Sequence, residues 1–138
     1  MKKTLFLLIF ALFFININAQ NYVSKTINVR FSNIDGEKWT EWSAPDAVSV
    51  VIMEDTTTNS FKIFSNELIE FTVIQYFGWN KTDNGVDVYV INCVDDEGIR
   101  CDLWLGKIEE NNFFQINYSD FKINYRVKLL KWYGEKND

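Results

Sequence analysis

Between Tyr89 and Leu129 apolar and polar residues alternate with a period of two, and this constrains the chain more than any other feature. Tyr89, Ile91 and Cys93 are followed by Cys101, Leu103 and Leu105, then Phe114, Ile116 and Tyr118, then Ile123, Tyr125, Val127 and Leu129. That period belongs to strands with one buried face. A slip of one residue would turn every side chain to the opposite face. Three turns join the runs. Asp96-Glu97-Gly98 reads as a three-residue loop with Gly98 in the left-handed region. Glu109-Glu110-Asn111-Asn112 reads as a four-residue loop, and Ser119-Asp120 as a two-residue one. These lengths set Cys93 opposite Cys101, Leu105 opposite Ile116 and Ile116 opposite Ile123. They send Arg100, Asp102, Gln115, Asn117, Lys122, Asn124, Arg126 and Lys128 to the outer face.

The rest of the chain repeats the pattern. Short runs rich in β-branched and aromatic residues fall at 26–31, 47–53, 61–64, 68–77, 86–94, 99–108, 113–118 and 121–130. No window sustains a 3.6-residue apolar period. The expected fold is all-β, an antiparallel meander of about eight strands forming a small barrel or a two-sheet sandwich. An outer-membrane barrel is disfavoured, since it needs apolar residues outside and polar ones inside.

The first residues are of another kind. Lys2 and Lys3 precede an apolar run from Leu5 to Phe14, and Ile17-Asn18-Ala19 closes the segment. This is the pattern of a secretory signal peptide, residues 1–19, cut near Ala19. Residues 20–138 then form a single β domain, exported to the periplasm or beyond. The apolar run is too short to span a bilayer, so no membrane span is expected. Cleavage removes two of the 14 cations and none of the 19 acids, leaving a charge of −7. Such a chain is ill suited to nucleic acid, whose phosphates call for Lys and Arg. The chain has no His, so Ser-His-Asp and Cys-His catalysis and His metal ligands are excluded.

Cys93 and Cys101 are the only cysteines. Export implies an oxidising compartment, and the register sets the two directly opposite each other. A disulfide Cys93–Cys101 is therefore expected, contributing roughly 2–3 kcal/mol by constraining the unfolded chain. Asp95, Asp96, Glu97 and Asp102 gather at one hairpin but lack the Asp-x-Asp-x-Asp-Gly order of a calcium loop. They read as turn chemistry, so neither a metal nor another cofactor is expected.

Trp104 falls on the outer face, because Leu103 and Leu105 point inward. The expected register puts Val90 on one side of it and Asn117 on the other, with Lys122 next in the row and Asn92 and Asp102 in the adjacent row. Gly106 would leave open space beside the indole. An aromatic plate ringed by amides and charges suits stacking on a sugar ring. Trp39 and Trp42 are three apart, which in a strand would set one in the core and the other outside.

The leading expectation is a secreted, non-enzymatic binding protein whose partner is a glycan or another protein. Its candidate binding residues are Trp104, Asn117, Lys122, Asn92 and Asp102, with no catalytic residue. One alternative is a lipocalin-like carrier of a small apolar ligand. The bulk of Tyr89, Phe114, Tyr118, Phe121 and Tyr125 argues against it, since a small barrel fills its own interior. The other is a small carboxylate-dependent hydrolase, which would show two acids with perturbed pKa values in one cleft.

Overall fold

A computed structural model of the chain describes residues 22–132. The expected signal peptide, 1–19, lies outside them. The described chain is all-β. Ten strands run in order: β1 (Tyr22–Asp35), β2 (Lys38–Trp39), β3 (Asp46–Ala47), β4 (Val51–Asp55), β5 (Ser60–Phe64), β6 (Leu68–Lys81), β7 (Asp87–Val94), β8 (Arg100–Ile108), β9 (Asn111–Asn117) and β10 (Phe121–Trp132). From β4 to β10 each strand pairs antiparallel with the next, the meander that the alternation implies. The sheet then closes on itself. One edge of β1 pairs with β10 from Tyr22↔Trp132 to Asn33↔Phe121, and its other edge meets β4 at Val23↔Met53. The result is one sheet wound into a ring, less even than a regular barrel, and not two separate sheets.

Residues 36–50 form a strap that retraces the same edge of β1 before β4 begins. β2 and β3 are its two paired points. Between them Thr40 N–H donates to the Asn33 carbonyl and Ser43 N–H to the Phe31 carbonyl, both at 2.8 Å. Pro45 has no N–H to give, which keeps the strap from becoming a continuous strand. The strand expected from residue 47 accordingly starts at Val51.

The inner face carries the core. Ile52, Phe61, Ile63, Ile91, Leu103, Leu105, Phe114 and Ile116 are all buried within it. Tyr22, Phe61 and Phe114 meet at its centre, with ring centroids 5.9–6.0 Å apart. Trp79, Tyr89 and Trp132 pack together at 5.4–6.2 Å, and Trp132 also meets Tyr22. Tilted and edge-on rings at such distances are favourable geometry for aromatic packing. Glu54 is also fully buried, and its Oε2 accepts a 2.6 Å bond from the Tyr76 hydroxyl.

The hairpins confirm the face assignment and correct one register. Gly98 has φ 80°, and Asp95 Oδ1 accepts from Glu97 N–H and Ile99 N–H, so this loop is as expected. Cys93 faces Cys101, as the loop requires. The β8–β9 turn is tighter than expected. Ile108 pairs with Asn111, leaving only Glu109-Glu110 as the turn. Glu109 is left-handed at φ 55°, a conformation costing a non-glycine residue roughly 1–2 kcal/mol. Two further cross-strand pairs, Lys107↔Asn112 and Ile108↔Asn111, offset that cost. The shift is by two residues, so every side chain keeps its face and only its partner changes.

The expected disulfide is not formed. Cys93 and Cys101 are both buried free thiols. The hairpin geometry supplies a reason. Asp95 N–H bonds to the Ile99 carbonyl, and ladder bonds recur every second residue, so Cys93 and Cys101 occupy a hydrogen-bonded pair. Their Cβ atoms then stand about 5.5 Å apart, whereas a disulfide holds them at roughly 3.5–4.5 Å. Burial, reinforced by nearby Asp95 and Asp102, pushes the Cys101 thiol up to about 12, and burial beside Cys101 and Asp102 raises Cys93 as well. Both thiols should therefore be inert in the native protein. A thiol-specific reagent should find none in the folded chain and two after denaturation without reductant. No reactive thiol in the denatured, unreduced protein would restore the disulfide.

Asp55 sits at the β4–β5 turn. The Thr57 hydroxyl, Lys62 Nζ at 2.9 Å and the Thr57 N–H hold its carboxyl at about 2 against a smaller effect of burial. A depressed carboxylate stabilises the fold above its unfolded pKa, and that stabilisation is lost as pH falls through the folded value. Asp55→Asn should cost about 0.5–1 kcal/mol at pH 7, allowing for solvent screening. In thermal melts the gap to wild type should close between pH 3.8 and 2. A gap that persists at pH 2 would assign the loss to something other than the charge.

Candidate functional site

Closure of the ring sets β1, β10, β9 and β8 side by side, and their outward residues line up in rows. One row runs Ser32, Lys122, Asn117, Asp102, Asn92. The next runs Arg30, Asn124, Gln115, Trp104, Val90. Four of the five residues singled out in the sequence thus share a row, and Trp104 stands in the neighbouring one. Asn92 Nδ2 donates to Asp102 Oδ1 at 2.8 Å, and Asn117 Nδ2 reaches the Asp102 carbonyl at 3.5 Å. Trp104 is half-buried and faces Gln115 rather than Asn117, a consequence of the tighter β8–β9 turn. The open space expected beside Gly106 is filled by Phe113. A Cβ on Gly106 would lie 2.8 Å from Cζ of the Phe113 ring and 3.0 Å from the Asp87 carbonyl oxygen.

This outer face is not simply solvated. Gln115 and Asn124 are only 6% and 4% exposed. Their amides join in one chain: Arg30 Nε to Asn124 Oδ1 at 3.4 Å, Asn124 Nδ2 to Gln115 Oε1 at 3.0 Å, and Gln115 Nε2 to Asn117 Oδ1 at 2.7 Å. Buried amides are costly unless paired, and these are paired with one another.

The strap adds aromatic cover. Lys122 Nζ lies 4.5 Å from the Trp39 ring centroid and 5.0 Å from that of Trp42, and the Arg30 guanidinium lies 4.9 Å from Trp42. These are cation–π distances. Burial lowers the Lys122 pKa. The expectation that one of these tryptophans enters the core is therefore corrected. Both stand over the outer face, because the backbone between β2 and β3 is irregular and the strand period does not apply to it.

Beside the strap the outer face opens a pocket of about 200 Å³. Phe113 and Asn124 are buried in its lining, and Asn28, Arg30, Arg126 and Pro45 complete much of the wall. Asn111, Asn112 and Ile108 edge it at the β8–β9 turn, where Arg126 donates to Asn111 Oδ1. No carboxylate is among its lining residues. Neither the arginines nor Phe113 were singled out as site residues from the sequence. Of the chain's three arginines two line this pocket, and nothing in the sequence signals it, because they lie on the first and last strands.

The acids are engaged elsewhere. Burial opposes charge on Asp95, but the Ile99 amide, the Tyr118 hydroxyl and the Glu97 amide outweigh it and hold its carboxyl below the usual range. Asp96 accepts from Glu70 N–H at 3.2 Å. Among the described residues, no group of three or more His, Cys, Asp or Glu is placed to hold a metal.

Gly106→Ala should displace the Phe113 ring and destabilise the protein by about 1–3 kcal/mol, the usual cost of overpacking. Denaturant unfolding measures the loss, and an unchanged midpoint would mean that the ring moves aside freely. Comparisons of the chain with protein-family models, curated proteins and solved structures gave no match, so its function is argued from the chemistry of this site.

Proposed function

We propose that this is an exported, non-enzymatic binding protein whose ligand is a glycan, seated on the outer face in the pocket beside the strap. The observation that carries the reading is the lining of that pocket: amides and guanidinium groups around a single aromatic ring. Sugar hydroxyls both donate and accept, and amides do the same. A few convergent polar groups beside an apolar surface are the usual make-up of a small-molecule site. A volume of about 200 Å³ suits one sugar ring better than a drug-sized ligand, whose pockets run to roughly 300–1,000 Å³. Trp104 and the row Asn92, Asp102, Asn117, Lys122 extend the same face and would meet further units of a longer chain.

The carrier reading draws less support, since aromatic and aliphatic side chains fill the ring's interior. The hydrolase reading calls for two perturbed acids in one cleft. The acids with shifted pKa values, Asp55 and Asp95, are both lowered and both belong to turns. Export rests on the pattern of residues 1–19.

Thermal unfolding of the mature protein against a panel of oligosaccharides tests the proposal. A ligand at a hundredfold excess over Kd should stabilise by about 2.7 kcal/mol. Asn28→Ala should diminish that shift. A shift kept in Asn28→Ala but lost in Trp104→Ala would move the seat to Trp104, and no shift from any saccharide would end the glycan reading.

A further inference from the structure

We propose that the outer-face pocket takes an acidic saccharide, with Arg30 and Arg126 gripping its carboxylate or sulfate group. This rests on the glycan-binding reading and names the ligand's charge. The chain is acidic overall, with a net charge of −5, so cations brought together at one pocket stand against the general balance. Three lysines in the described chain have acid partners: Lys62 with Asp55, Lys81 with Asp87, and Lys107 with Glu110. Arg30 and Arg126 form no ion pair among the described residues, and the pocket lining supplies no carboxylate to neutralise them.

Both arginines are held by neutral groups that leave donors over. Arg30 gives Nε to Asn124 and lies against Trp42, while Arg126 gives one Nη to Asn111. A guanidinium has five N–H donors in a planar fork, stays charged at any physiological pH and matches carboxylate or sulfate oxygens two at a time. Asn124 Oδ1 and Asn111 Oδ1 thus act as struts that fix the forks without cancelling their charge. The acids close by in sequence are Asp46, Glu109 and Glu110. All three are exposed to solvent, where screening weakens their hold on the site.

The sugar part follows from the other lining residues. Phe113 supplies a buried apolar surface, and Asn28 and Asn112 add amides able to meet hydroxyls. A bare inorganic anion would use the arginines and ignore the rest.

The test is titration calorimetry of the mature protein at low salt with digalacturonate, neutral digalactose, sulfated digalactose and acetate. The acidic disaccharides should bind about tenfold or more tighter than the neutral one, which is what a hydrogen-bonded charge contributes. Preference between the two acidic probes identifies the oxyanion. The advantage should shrink at high salt and fall away in Arg126→Gln, an exposed position, once its unliganded melting point is shown to match wild type. Arg30→Gln should act likewise, with its unliganded melting point checked first. Equal binding of neutral and acidic disaccharides would overturn this inference and leave the glycan reading standing. No binding of any disaccharide would remove both, and acetate binding as tightly as digalacturonate would show that the sugar ring contributes nothing.

Discussion

The pairing of β1 with β10 is the constraint on which the rest of the molecule depends. It removes the two edges that an open meander would expose, and with them a template for pairing with other chains. It also makes an inside. Tyr22, at the start of β1, reaches Phe61 and Phe114 from the opposite side of the core only because the ring closes. The same pairing also shapes the outer face, since it lays Arg30 beside Asn124 and Asn28 beside Arg126. One set of backbone hydrogen bonds therefore builds the hydrophobic centre and the polar pocket together.

The two faces solve opposite problems. Inside, large apolar side chains interlock, and the buried acid Glu54 is met by the Tyr76 hydroxyl. Outside, the difficulty is polar groups that lose water. Gln115 and Asn124 are as buried as many core residues, and they are satisfied through a run of amides ending at Arg30. Such a network is sensitive to the loss of any member, because each amide left over would be a buried unpaired group.

The strap between β1 and β4 ties these parts together. Its backbone follows β1, while Trp39 and Trp42 turn over the outer face and stack on Lys122 and Arg30. Pro45 then forms part of the pocket wall. The free edge of β1 is covered and the pocket completed by the same residues.

The sequence by itself determined which face the residues from Tyr89 to Leu129 occupy; beyond Leu129 a register shift against β1 turns Trp132 back to the core. A period of two leaves no other choice, and even the error in the β8–β9 turn preserved it, because a shift of two residues returns every side chain to its own side. The aromatic interior, the meander and the position of Cys93 opposite Cys101 were legible for that reason. What only the tertiary structure decided were the partners. Trp104 meets Gln115 and not Asn117, since a turn's length is chosen by the balance of ladder bonds against the strain at Glu109. Cys93 and Cys101 remain thiols, because local hydrogen bonding sets the spacing of their Cβ atoms. Arg30 and Arg126 share a pocket because the first strand of the ring closes on the last, and alternation within a strand carries no information about which distant strand lies alongside.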